Sequence, residues 1–127
     1  MTYLKGPLIP IIKSYGHKGN INILVMQLLD KSLEDLFNKF KKFSIKTTAM
    51  LGFQMVSILQ YIHDRHIIHR NIKPSHFLMG SKQYNAQLYL IDFGLAKKYR
   101  NSKTLIQIPY IKKKNYMVRK DLLLFMH

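Results

Sequence analysis

Two short stretches hold the side chains with chemistry in them. His69-Arg70-Asn71-Ile72-Lys73-Pro74 puts an imidazole, a guanidinium, an amide and an amine in one loop, and Asp92-Phe93-Gly94 follows some twenty residues later. Either stretch alone is weak evidence, because a His-Arg pair and an Asp-Phe-Gly triplet both arise by chance. The two in this order, with a hairpin between them and a long amphipathic segment before them, are much more specific. An amide at position 71 can accept a hydrogen bond but cannot hold a proton, so the loop has no general base there. His63, His66 and His69 recur every third residue and invite a metal reading. Along the end of a helix, in a chain without cysteine, framework or solvated histidines are the better reading.

Several elements must position these residues. "GPLIPIIKSYGHKGNINILVMQLL" alternates apolar runs with Gly, Pro and Asn, which predicts a hairpin with a tight turn around Gly16 to Asn20. In "DKSLEDLFNKF", Ser32 stands three residues before Asp35, and two acids fall at the positive end of the dipole, so a short helix starts there. Thr48, Leu51, Met55, Ile58 and Ile62 recur at steps of three and four, predicting a helix from about Ser44 to His63 with one apolar stripe. Beyond it the chain reads strand, Pro-containing loop, strand, the polar turn "SKQYNA", then the strand "QLYLIDFG". From Lys97 onward the sequence is basic and poorly patterned, and "KKKNYMVRKD" predicts no element.

Composition bounds the rest. A chain of 127 residues buries one modest core, so one folded unit is expected. No apolar run approaches the roughly 20 residues of a bilayer-spanning helix. The start "MTYLKGPLIP" lacks the pattern of a signal peptide, so an intracellular protein of cytoplasm or nucleus is expected. Lys and Arg number 21 against 6 Asp and Glu, a formal charge of +15. Such a field attracts nucleotide, acidic or phosphorylated protein, anionic surface and nucleic acid alike.

The two loops, in their order and setting, resemble the catalytic and metal-binding loops of protein kinases. "LVMQLLDKSLEDLFN", "IHRNIKPSHFLMG" and "IDFGLAKKYR" are similar to stretches of the casein kinase I family of serine/threonine kinases, and "IQIPYIKKKN" resembles the segment that follows them there. The likeness runs from about Tyr3 to Asn115, within a single domain taken as 1–127. It implies an α+β class and a partial protein-kinase fold, with the hinge, helices D and E and the catalytic-loop and Asp-Phe-Gly hairpins. Most of the N-lobe, with its glycine-rich loop, third-strand lysine and partner glutamate, and most of the helical C-lobe have no counterpart. "VRKDLLLFM" carries a fainter likeness to the start of the family's helix F.

The resemblance also implies roles. Met26 matches the gatekeeper, the backbone of Gln27 and Leu29 matches the groups that meet the adenine edge, and Leu78 and Ile91 match the floor and rear of that slot. Asp92 matches the magnesium-holding acid of an ATP site, and Lys73 the lysine that steadies the transferring phosphate. Asn71 stands where the family has its proton-accepting aspartate. His76 stands in the second metal position in place of an asparagine, and Ser75 replaces an acid beside it. An imidazole nitrogen is a poor substitute for oxygen on magnesium.

Three classes of function follow. One is the family's ATP-dependent phosphorylation of Ser or Thr, favouring acidic or phosphorylated substrates. The second, preferred, is a catalytically impaired relative that acts as a binding module or is a gene fragment without function. The third is a basic nucleic-acid binder with lysines near Tyr99, Tyr110 and Tyr116 to stack on bases, although no nucleic-acid motif supports it.

Overall fold

Two serines start the two α-helices of the described residues. In the computed structural model, which describes residues 8–81 and 86–109 and the backbone of 122–125, Ser32 caps α1 (Leu33–Phe40). Its hydroxyl accepts from the Asp35 N–H at 3.1 Å, while the Asp35 carboxylate accepts from the Ser32 N–H at 3.0 Å. The Ser32 hydroxyl also donates to that carboxylate at 2.6 Å, and this bond, with the one from the Ser32 N–H, holds the Asp35 carboxyl below its usual range. Lys41 ends the helix in the left-handed region at φ 63°, its N–H bonded to the Phe37 carbonyl. Ser44 caps the 20-residue α2 (Ile45–Asp64) by the first half of that arrangement, its hydroxyl accepting from the Thr47 N–H.

The strands form three small sheets. β1 (Ile12–Lys18) and β2 (Ile21–Met26) pair antiparallel around a turn at Gly19 and Asn20, where Gly19 takes φ 59°. β3 (Leu29–Ser32) pairs with β5 (Phe77–Gly80), which pairs with β6 (Leu88–Leu90), both antiparallel. The two-residue β4 (Ile67–Ile68) pairs antiparallel with β7 (Lys97–Lys98).

Both serine starts and the long helix are where the sequence placed them, with α2 shifted by one residue, and the hairpin forms with a tighter turn than expected, since Gly16, His17 and Lys18 belong to β1 and only Gly19 and Asn20 turn. Two expectations are corrected. Thr48 is not part of the buried stripe, because its hydroxyl turns back to the Ser44 carbonyl at 3.0 Å and the residue is exposed. Leu122–Phe125 is a strand, β8, running parallel to β2, and not the helical start that the likeness of "VRKDLLLFM" implied. After pairing with β1, β2 has a second edge of backbone donors and acceptors, and an extended segment satisfies it. The span "KKKNYMVRKD" lies outside the described residues.

The core lies between α2 and the β5–β6 hairpin. Ile58, Ile62, Phe77, Leu88 and Leu90 are fully buried, with Ile9 and Leu33 closing the cluster and Leu51, Met55 and Leu59 packed on it. Alternation along the hairpin sends Phe77, Leu88 and Leu90 to this core, while Leu78 and Tyr89 join Leu29 and Ile91 in a second cluster. Gln54 ties helix to hairpin, its side chain accepting from the Leu88 N–H at 2.8 Å and donating to the Ala86 carbonyl at 3.1 Å. The far side of α2 is apolar and open, with Ile45, Phe53 and Val56 all exposed.

Candidate active site

The β4–β7 ladder brings the loop after β4 beside the loop after β6. Backbone bonds then lock them together, including Ile91 N–H to the His76 carbonyl at 3.0 Å. His69, at 1% exposure, sits in the seam. Its Nδ1 accepts from the Asn71 N–H at 3.3 Å and its Nε2 donates to the Ile91 carbonyl at 2.9 Å, so neighbours on both sides fix one neutral tautomer. Its ring meets Phe93 edge-on at 4.9 Å. Burial pushes the His69 pKa down, against the opposing pull of the Ile91 carbonyl. Arg70 adds a bond from Nε to the Leu95 carbonyl at 2.6 Å.

Two residues of the seam carry strained backbones. Arg70 at φ 66° and Asp92 at φ 61° occupy the left-handed region without being glycine, a conformation that costs on the order of 1–2 kcal/mol each. For Asp92 the result is a carboxylate engaged at both oxygens. Oδ1 accepts from the Gly94 N–H at 3.3 Å, and Oδ2 faces His76 Nε2 at 3.2 Å. Gly94 suits its place, since a Cβ there would stand 3.2 Å from Asp92 Oδ1. On its other side the His76 ring donates from Nδ1 to the Asn71 carbonyl at 2.9 Å. His76 therefore clamps the 71 backbone to the 92 carboxylate.

The expected site residues fall into two groups. Met26, Ile91 and Asp92 line one cavity of about 460 Å³, together with Leu24, Phe93 and Gly94. Gln27, Leu29 and Leu78 do not line it. Gln27 exchanges bonds with Ile11, donating its N–H to the Ile11 carbonyl at 2.8 Å and accepting the Ile11 N–H on its side chain at 3.3 Å. Leu29 and Leu78 pack with Tyr89 in the second apolar cluster, which Ile91 joins to the cavity. Asn71 is half-buried and Lys73 exposed on the loop above.

The three spaced histidines diverge. His63 is exposed, His66 Nδ1 accepts from Arg100 Nε at 2.7 Å, and His69 belongs to the seam. Among the described residues no three His, Asp or Glu come together in a way that could hold a metal ion. Tyr99 is engaged too, with its hydroxyl on the His63 carbonyl at 3.1 Å and its ring edge-on to His63. Tyr110 and Tyr116 lie outside the described residues. The sequence reading named Phe93 only as part of its motif and missed Tyr89 and Gln54. The strict alternation of "LYLID" signals Tyr89, but nothing local signals Gln54.

Residues 4–119 match the family model of the protein kinase domain. The chain belongs to the protein kinase family. Its α+β elements and paired loops are a partial kinase fold in keeping with that membership. Kinases of this family generally use ATP and magnesium and act on proteins. The donor set of this kinase-family site does not fit magnesium. That ion takes oxygen ligands in near-octahedral order, whereas among the described residues Asp92 is the one carboxylate at the seam and a ring nitrogen holds its Oδ2. No helix among the described residues is long and apolar enough to cross a membrane.

Proposed function

We propose that this chain is a serine/threonine kinase-like domain of the casein kinase I type that binds a purine nucleotide and transfers phosphate poorly or not at all. One observation carries the reading: an intact loop frame surrounds an amide. His69 and Arg70 bind the two loops together as a kinase seam requires, and at the centre of that frame Asn71 offers a group that accepts a hydrogen bond but holds no proton. General-base help is worth roughly a hundred- to ten-thousand-fold in rate, so its loss alone moves the chain out of the useful range. In this reading Met26 guards the slot and Ile91 supplies its apolar rear, while Gln27, its N–H held by the Ile11 carbonyl, and Leu29 and Leu78, packed on Tyr89, stand outside the cavity, so the family's hinge contacts to the base are not formed in this conformation. Lys73, exposed on the loop, faces the phosphates. Acidic or phosphorylated protein is the partner favoured by a charge of +15, in cytoplasm or nucleus.

Purified chain incubated with labelled ATP and an acidic Ser-containing peptide should show no transfer above background, while ATP should raise the melting temperature. Measurable transfer would overturn the impaired reading, and a melting temperature indifferent to ATP would remove nucleotide binding. The same charge favours nucleic acid as a second reading. Salt-sensitive capture of an oligonucleotide by a chain that ignores ATP would put that reading first.

A further inference from the structure

We infer that His76 is a built-in occupant of the cation position at Asp92, so that the site excludes a divalent ion and any nucleotide it holds is bound without magnesium. The nucleotide half of this statement rests on the reading above; the exclusion of metal does not.

The geometry supplies three supports. First, each oxygen of the Asp92 carboxylate already has a partner, the Gly94 N–H at Oδ1 and the His76 ring at Oδ2. Second, the imidazole is not a loose side chain that an entering ion could push aside. It is buried at 8% exposure, tied at its other nitrogen to the Asn71 carbonyl, and its backbone carbonyl holds the Ile91 N–H. Third, replacing the ring's contact by an ion leaves a poor cage. Among the described residues Asp92 would be its one carboxylate, with the His76 ring 3.2 Å away offering a nitrogen where a hard ion takes oxygen.

The same arrangement explains why a histidine can stand here at the end of the loop. A buried imidazole needs partners for both nitrogens, and with a proton on each the ring donates from Nδ1 to the Asn71 carbonyl and from Nε2 to the Asp92 carboxylate. Asp92 in turn needs a partner for a carboxylate held in a strained backbone beside an apolar cavity. Each group satisfies the other, and a metal has no role left to fill. Phosphate charge then falls to side chains such as Lys73 and to the basic surface.

Manganese, a paramagnetic stand-in for magnesium, gives a test that needs no nucleotide. Titrated with Mn(II) and followed by electron paramagnetic resonance, the full chain should leave the ion free at millimolar concentration. One stoichiometric Mn(II) site in the wild-type chain would overturn the inference. His76→Asn, which puts an amide oxygen in place of the ring, and His76→Asp, which adds a carboxylate, should each tighten Mn(II) binding at least about tenfold. No gain in either variant, with circular dichroism showing both folded, would also overturn it. In parallel, the ATP-induced rise in melting temperature should be the same in EDTA as in magnesium, and a rise seen only with magnesium would refute the exclusion. No rise in either buffer would fell the nucleotide reading alone, with the manganese titration still deciding whether His76 excludes the ion.

Discussion

The seam and the mouth of this site lie within one loop pair and follow different rules. At the seam, His69 is held by two hydrogen bonds, to the Ile91 carbonyl and from the Asn71 N–H, and by a ring contact with Phe93 at 4.9 Å, and it is almost wholly buried. At the mouth, Asn71 and Lys73 are half-buried and exposed, and the bonds that Asn71 makes in the seam come from its backbone. Backbone groups are present whatever the side chain. The mouth can therefore change chemistry without disturbing the seam, which is how a kinase loop keeps its shape around an amide.

Breaking the seam's support should have the largest effect. Phe77 is fully buried between α2 and the β5–β6 hairpin that delivers both loops. Phe77→Ala should cost about 3–5 kcal/mol, a large share of the roughly 5–15 kcal/mol that keeps a domain folded. Urea titration followed by circular dichroism would read it as a much lower midpoint, and an unchanged midpoint would mean that the seam does not hang on this core.

Restoring the mouth comes next. Asn71→Asp supplies a proton acceptor and His76→Asn releases the Asp92 carboxylate, so neither change alone completes the site. Together they should raise phosphate transfer to an acidic peptide on the order of a hundredfold above the wild-type chain, about 2.7 kcal/mol of barrier. Initial rates with labelled ATP would measure it. A double variant no faster than the wild type would show that the mouth is not what limits transfer.

The helix starts offer a smaller, local contrast. Ser32→Ala removes one cap hydroxyl and should cost about 1 kcal/mol in a urea titration. The Asp35 side of that cap adds a pH dependence of known sign. Its carboxyl is held below its ordinary value by the Ser32 bonds, so its contribution is present above that ordinary value, about 4, and is lost as pH falls through the lower folded value. Melting temperatures from pH 6 to pH 3 should therefore fall, and Asp35→Asn should flatten part of the slope.

What the sequence made legible follows this local and distant divide. Ser32 and Asp35 act within a few positions, so both partners are visible in the chain, whereas the chain signals Ser44 as a helix start without its partner Thr47 and the turn at Gly19 and Asn20 as a wider one from Gly16. The core stripe of α2 was visible by period, apart from Thr48, whose hydroxyl had a closer partner in its own helix. The two loops could be placed by their motifs. Their contacts could not: His76 meets Asp92 across 16 positions, and Gln54 meets Ala86 and Leu88 across 32 and 34. Nothing in either local window selects those partners. The strand at Leu122–Phe125 was missed for the same reason, since the free edge of β2 that it satisfies lies a hundred residues earlier.

The smallest expected effect is the sharpest test of the seam and mouth as separate regions. Asn71→Ala deletes the amide but leaves the N–H that His69 accepts and the carbonyl that His76 donates to. If the mouth is free of structural duty, this variant should melt within about 0.5 kcal/mol of the wild type, as ordinary surface substitutions do. His69→Ala, by contrast, strips both ring bonds and the Phe93 contact from a buried position, and should destabilise the chain by several times that amount. Denaturant midpoints of the two variants, measured side by side, give the comparison directly. Equal losses would mean that the Asn71 amide holds the loop as firmly as the histidine does, and the amide would then be there for shape, not as the residue of a lost base.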